Sequence, residues 1–246
     1  MIRLTSNPGE DHAPIWTPNG EQVTFGSDMV AGEGPALSWR PADRSGPQEL
    51  LLESEQPGIP TSWSPDGQTL AFLDLAHPVT GDDIWMLRLE EEQEPWAFLD
   101  TEFDETGAMF SPDGRWLAYM SNETGRDEVY LQPFSITGPR WTKQISVGGG
   151  TEPVWAPDGR ELFYRNGDKM MAVAIETEPE LSVGTPRLLF EERFLPGPPW
   201  ARRNYDISPD GLRLLMIKRE QDLVPTEIIV ILNWFEELKR LVPTDN

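Results

Sequence analysis

The chain has no cysteine and only two histidines, His12 and His77, among its 246 residues. Disulfides, thiolate nucleophiles and cysteine-ligated zinc or iron–sulfur centres are thereby excluded. Two histidines also argue against a multi-histidine metal site. Positive charge is scarce as well: 20 Lys and Arg stand against 42 Asp and Glu, a formal charge of −22. Such a surface repels phosphate backbones and anionic membranes, and suits cationic peptides, basic proteins or divalent cations. A solvated acidic surface that only keeps the chain soluble is the plainer reading. Long apolar runs are missing too. None approaches the ~18 residues of a membrane span, and "MIRLTSNPGEDH" lacks the apolar centre and cleavage site of a secretory signal. The chain as given therefore reads as cytoplasmic, with no nucleic-acid or membrane partner. That expectation lapses for a piece cut from a longer protein.

What the chain does hold is a core and a repeat. Hydrophobic residues make up 38%, with ten Trp and ten Phe, enough for a substantial interior. The string "WTPNGEQVTF" at Trp16 returns as "WSPDGQTLAF" at Trp63, "FSPDGRWLAY" at Phe110, "WAPDGRELFY" at Trp155 and "ISPDGLRLLM" at Ile207. From Pro18 through Pro65, Pro112 and Pro157 to Pro209 the steps are 47, 47, 45 and 52 residues. Pro-Asp-Gly between two apolar runs is a turn. Pro is preset for its second position, and Gly accepts the left-handed conformation that returns the chain.

Each unit holds four strand-like runs; in the third they are "GAMF", "RWLAYM", "EVYLQPF" and "TKQISV". Several are apolar on both faces, as Leu70 to Leu73 and Trp116 to Tyr119 show, so their sheets have neighbours packed above and below. Four-stranded antiparallel sheets at this period predict an all-β fold, a single β-propeller over 1–246 with five blades. The fifth unit offers "YDIS", "LRLLMIK" and "EIIVILNW", then turns into a predicted helix near 235–242. "MIRLT" has the register of the missing strand, since Leu4 lies 12 residues before Trp16 as Phe98 lies 12 before Phe110. It is expected to complete the last blade and close the ring; six blades or an open fragment is the alternative.

The repeat Trp/Phe-Ser-Pro-Asp-Gly followed by an apolar strand resembles the propeller repeat of TolB and its relatives, across all five units. "SNETGRDEVYLQPF" continues the likeness, with a Gly-containing loop before an acidic-aromatic third strand. The resemblance implies a propeller that binds a partner protein, as TolB does. It is also similar to the gating propellers of prolyl-oligopeptidase-type peptidases and to C-terminal regions of some bacterial serine/threonine kinases. The TolB α/β domain, a Gly-x-Ser-x-Gly elbow and kinase loops are all missing. What is left is a binding part without the chemistry.

In a propeller the first strands line the channel, so the Pro-Asp-Gly turns share one face and the variable loops share the other. Binding is expected on the loop face. Charged residues precede or begin each first strand: Asp11 and His12, Asp104 and Glu105, Glu152, then Arg202, Arg203 and Asp206. Asp11, Glu105, Glu152 and Asp206 are the candidate contacting acids at the channel mouth, with His12 beside them and Arg202 or Arg203 as countercharge. No cofactor and no metal ligand set is expected, although a carboxylate ring there could hold a divalent cation. The alternatives are a glycosidase-type hydrolase using Glu105, Glu152 and Asp206, and a purely structural propeller. Trp16, Trp63, Phe110 and Trp155 are expected to pack between blades, and His77 to sit in a loop.

Overall fold

A computed structural model of the chain describes residues 3–5, 9–28, 35–53, 58–77, 79–89, 94–135, 141–195, 197 and 203–217. Every regular element among them is a strand, and every pairing is antiparallel. The first sheet contains β1 (Asp11–Trp16), β2 (Gln22–Ser27), β3 (Ala36–Pro41) and β4 (Glu49–Glu53). The second contains β5 (Ile59–Trp63), β6 (Thr69–His77), β7 (Gly81–Arg88) and β8 (Trp96–Leu99). The third contains β9 (Glu105–Phe110), β10 (Trp116–Ser121), β11 (Glu128–Pro133) and β12 (Lys143–Gln144). In the fourth, β13 (Thr151–Trp155) and β14 (Glu161–Asn166) precede β15 (Lys169–Glu176), which pairs with both β16 (Ser182–Val183) and β17 (Arg187–Glu191). A fifth begins with β18 (Tyr205–Ile207) and β19 (Leu214–Met216). These are propeller blades, each laid down in sequence order from the inside outward. The expected third strand and helix of the last unit, and its pairing with "MIRLT", lie outside the described residues.

The repeated turn owes its shape to two residues besides the glycine. In blade 3 the Ser111 hydroxyl donates to Asp113 (2.5 Å) and accepts the Trp116 N–H (3.0 Å), while Asp113 accepts the Arg115 N–H (3.1 Å). Ser64 with Asp66 and Ser208 with Asp210 repeat the arrangement, and Thr17 with Asn19 is a neutral version. Blade 4 has Ala156 in place of the hydroxyl. These bonds hold the Asp66 carboxyl below its usual range, through the Ser64 hydroxyl and then the Gln68 N–H. At Asp113 burial pushes upward, but Ser111 and Arg115 outweigh it and the group is also lowered.

Successive turns also stack on one another. Gly67, Gly114, Gly159 and Gly211 all have φ near +70, and a Cβ on each would meet the ring of Pro18, Pro65, Pro112 and Pro157 respectively, in the blade before. The tightest is Gly114, at 3.3 Å from Pro65 Cδ. Pro and Gly of the motif therefore serve the joint between blades as well as the turn.

Between the sheets lie apolar layers. Trp63 packs with Leu37, Leu70, Phe72 and Leu87 and donates its indole N–H to Thr24 (3.1 Å). Phe110 packs with Ala71 and Tyr119, and Trp155 with Ala118 and Leu162. Trp16 departs from the expectation. It is 62% exposed, because it joins none of the apolar layers between the described sheets.

The first strands of blades 1 to 4 carry an irregularity that the sequence does not announce. Register shifts interrupt β1, β5, β9 and β13 in the same region. At the aligned position Ala13, Gly107 and Glu152 have φ of 49, 65 and 58. This recurring β-bulge re-aims the residues just before it toward the loops. Only blade 3 fills the left-handed position with glycine.

Candidate functional site

The charged residues that begin the first strands lie beside the far ends of the second strands, as Asp11 beside Ser27 and Glu105 beside Ser121, and several of them turn inward. Glu105 is 3% exposed. Its carboxylate accepts the Thr101 hydroxyl and the Thr101 N–H (3.3 Å). Burial raises its pKa, with Asp83 and Glu123 adding to the rise against the Thr101 bonds. Beside it, Asp104 accepts the Asn122 side-chain amide (2.7 Å) and the Asp82 N–H (3.2 Å), tying the start of β7 in blade 2 to the β10–β11 loop of blade 3.

Glu152 is 5% exposed and occupies the junction of blades 4 and 5. One oxygen accepts the Arg165 guanidinium (3.3 Å) and the Gly197 N–H (3.2 Å); the other accepts the Asn204 N–H (2.9 Å). Its carbonyl accepts the Tyr205 hydroxyl at 2.7 Å. Arg165, equally buried, donates onward to the carbonyls of Leu195, Gly167 and Phe194. Burial, with the Glu152 charge adding to it, pushes the Tyr205 phenol well above its ordinary pKa.

A third buried carboxylate was not foreseen. Glu128 accepts the Gly148 and Gly149 N–H groups (2.8 and 2.9 Å) and the Ser146 hydroxyl (2.5 Å). "SVGGGT" just before the first strand of blade 4 held the signal, since adjacent glycines free two N–H groups to converge on one anion. Arg165 was likewise missed as an internal cation, because "RNGD" reads as an ordinary exposed turn.

The remaining candidates keep contact with solvent. Asp11 begins β1 opposite Ser27 and is half-buried. His12 lies over Gly26, where no side chain would fit, with Nδ1 3.8 Å from Asp28 Oδ1. Arg203 reaches Met109 Sδ on the first strand of blade 3 (3.5 Å). Asp206 is exposed and caps its neighbour's N–H at Ile207 (2.9 Å). Arg202 lies outside the described residues, as does the side chain of His77, whose backbone belongs to β6 instead of a loop. The structure thus separates the expected set. Glu105 and Glu152 bond to loops, while Asp11, His12, Arg203 and Asp206 stay accessible.

No group of three or more His, Asp or Glu side chains suited to a metal occurs among the described residues. On the opposite face, a cavity of about 900 Å³ opens between the turns of blades 3 and 4, lined by Asp113, Arg115, Asp158, Arg160, Glu161 and Glu178 among others. Arg115 bridges Asp113 (2.7 Å) and Glu178 (3.0 Å) across it.

Comparison with known proteins places this geometry. The sequence profile of the prolyl oligopeptidase N-terminal β-propeller domain matches residues 101–175. Curated proteins give no match. TolB from Acinetobacter baumannii superposes with a TM-score of 0.62 and 19% identity, over 88% of this chain and 56% of that one. A TolB-type protein of Agrobacterium tumefaciens gives 0.57 and 19%, over 72% of this chain and 64% of its own. Oligogalacturonate lyase from Vibrio parahaemolyticus gives 0.58 and 11%, over 86% and 63%. The fold is a β-propeller, and the solved structures similar to it include two TolB-type proteins. The chain spans less than two thirds of the length of each of these structures.

Proposed function

We propose that this propeller is a non-catalytic binding module that recognises a protein or peptide, basic in character, on its loop face. The supporting observation is the use made of four carboxylates there, three of them buried. Asp104, Glu105, Glu128 and Glu152 hold backbone N–H groups of Asp82, Thr101, Gly148, Gly149, Gly197 and Asn204. Connections of different length and sequence are thereby fixed on a rigid support before any partner arrives. Preorganisation of this kind lowers the entropic cost of binding, and variable loops on a rigid support are where recognition resides. The charge of −22 favours a cationic partner. The TolB resemblance points the same way.

The hydrolase alternative fares worse. An acid pair needs one carboxylate free to donate a proton and another free to attack or activate water. Glu152 is committed to Arg165 and two backbone amides, and Glu105 to Thr101.

The test compares capture from a lysate by three folded proteins. They are wild type, an Asp11→Ala/Arg203→Ala/Asp206→Ala variant of the loop face, and an Asp158→Ala/Arg160→Ala variant of the turn face. A partner kept by wild type and the turn-face variant but lost by the loop-face variant supports the proposal. Loss by the turn-face variant alone would move the site to the cavity between blades 3 and 4. Equal capture by all three would refute the loop-face site.

A further inference from the structure

The repeated turns follow one plan, and two of them depart from it where the turn-face cavity opens. Thr17, Ser64, Ser111 and Ser208 each bond the Asn or Asp two places on through their hydroxyls. Blade 4 has Ala156 at that position, so Asp158 accepts only the Arg160 N–H (3.0 Å). The place after the turn glycine varies as well. Glu21, Gln68 and Leu212 fill it in blades 1, 2 and 5, whereas blades 3 and 4 have Arg115 and Arg160. A turn that forms with Gln or Leu at this place does not require arginine. Departures that the architecture does not demand mark side chains that serve something else. Asp158, Arg115 and Arg160 all line the cavity of about 900 Å³ between blades 3 and 4.

Most of the charge in that cavity is already matched. Arg115 spends its three nitrogens on Asp113 (2.7 Å), Glu178 (3.0 Å) and the Thr177 hydroxyl (3.3 Å). Glu161 is held by Arg187 at 2.6 Å. Among the described residues, no hydrogen bond or ion pair reaches the Arg160 guanidinium or the Glu176 carboxylate, and Asp158 keeps its second oxygen free. The surplus is therefore two negative charges and one positive charge. Pro112, Ala174 and Ile175 add apolar wall to the same lining.

We infer that this cavity binds a free basic amino acid of the lysine type. Such a molecule carries two cationic groups and one carboxylate, the inverse of the surplus. Its ammonium groups meet Asp158 and Glu176, and its carboxylate meets the Arg160 guanidinium in a charge-assisted pair. Its methylene stem lies along the apolar wall. A plain anion is repelled by the excess of carboxylates, and a plain diamine leaves Arg160 unmatched beside its own charge. The volume also suits, since small-molecule sites run roughly 300–1,000 Å³. This turn-face site is separate from the proposed loop-face site, and the failure of one leaves the other standing.

Isothermal titration of the full chain tests it with three probes. They are L-lysine, cadaverine, which lacks the carboxylate, and norleucine, which lacks the side-chain ammonium. L-Lysine binds about tenfold or more tightly than either analogue, the scale of one charge-assisted hydrogen bond. Arg160→Met brings L-lysine down to the affinity of cadaverine and leaves cadaverine unchanged, whereas Glu176→Gln weakens both. Both side chains are exposed, so neither variant disturbs the core. Equal affinity of wild type for L-lysine and cadaverine would show diffuse attraction of an amine to an acidic surface, and would overturn the inference. Equal affinity for L-lysine and norleucine, unchanged L-lysine affinity in Arg160→Met, or no binding of L-lysine at millimolar concentration would overturn it too.

Discussion

Replacing Glu152 by Ala probes the junction between blades 4 and 5. The change removes the acceptor for the Arg165 guanidinium and for the Gly197 and Asn204 N–H groups. Both side chains of the ion pair are 5% exposed, so solvent cannot take over. Breaking a buried pair from one side costs about 3–5 kcal/mol, because the orphaned charge stays desolvated. Each stranded N–H costs about a further 1–3 kcal/mol unless water reaches it. In a chain of this size about 1 kcal/mol moves the Tm by 2–4 °C, so a fall on the order of 10 °C or more is expected. Circular dichroism melts of Glu152→Ala, Arg165→Met and the double variant measure it. The double variant should recover part of the loss, because an apolar pair leaves no buried charge. A fall under about 3 °C for Glu152→Ala would refute a load carried by this carboxylate, since it corresponds to only ~1 kcal/mol.

Other expectations follow from the same physics. Ala13→Gly relieves a left-handed residue at φ 49 and should raise stability by about 1 kcal/mol in urea titration; a loss would show that the bulge does not strain Ala13. Gly114→Val meets both φ +71 and the Pro65 ring, so its Tm should fall well below that of Gly125→Val, where φ is +83 but no atom stands within 4 Å. Trp63→Ala should cost about 3–5 kcal/mol, against a far smaller loss for a surface substitution such as Leu212→Ala. Glu105 has a raised folded pKa, so the folded state binds its proton more tightly than the unfolded state. Its ionisation therefore lowers stability as pH climbs from the ordinary carboxylate value through the raised one. Glu105→Gln should flatten that part of the stability–pH curve measured by urea unfolding. Asp66 and Asp113 act in the opposite sense, since their lowered values add stability above about pH 3.9 that is lost on acidification.

The blades were legible because their signals are local and repeated. Pro-Asp-Gly states the turn, and "RWLAYM" or "TLAFLD" states a strand buried on both faces. The stacking of each glycine under the previous blade's proline was not legible, since it joins residues 47 or more positions apart that each have a sufficient local reason to be there. The charged residues at the starts of the first strands were legible as a set, but composition says nothing of direction. Whether Glu152 meets solvent or Arg165 depends on a bulge that turns it, and Glu at a left-handed position carries no sequence signature. Trp16 shows the reverse limit. Its motif, WTPNG, parallels the WSPDG of Trp63, yet one indole is exposed and the other buried.

The central claim is that loop-face carboxylates fix the loops instead of offering themselves to a partner. Hydrogen exchange of the backbone amides tests it most directly. The amides of Asp82, Thr101, Gly148, Gly149, Gly197 and Asn204 should exchange slowly, and those of Gly197 and Asn204 should lose protection in Glu152→Ala while Gly148 and Gly149 keep theirs. Exchange of all six at the rate of an unstructured chain in the wild-type protein would contradict the account.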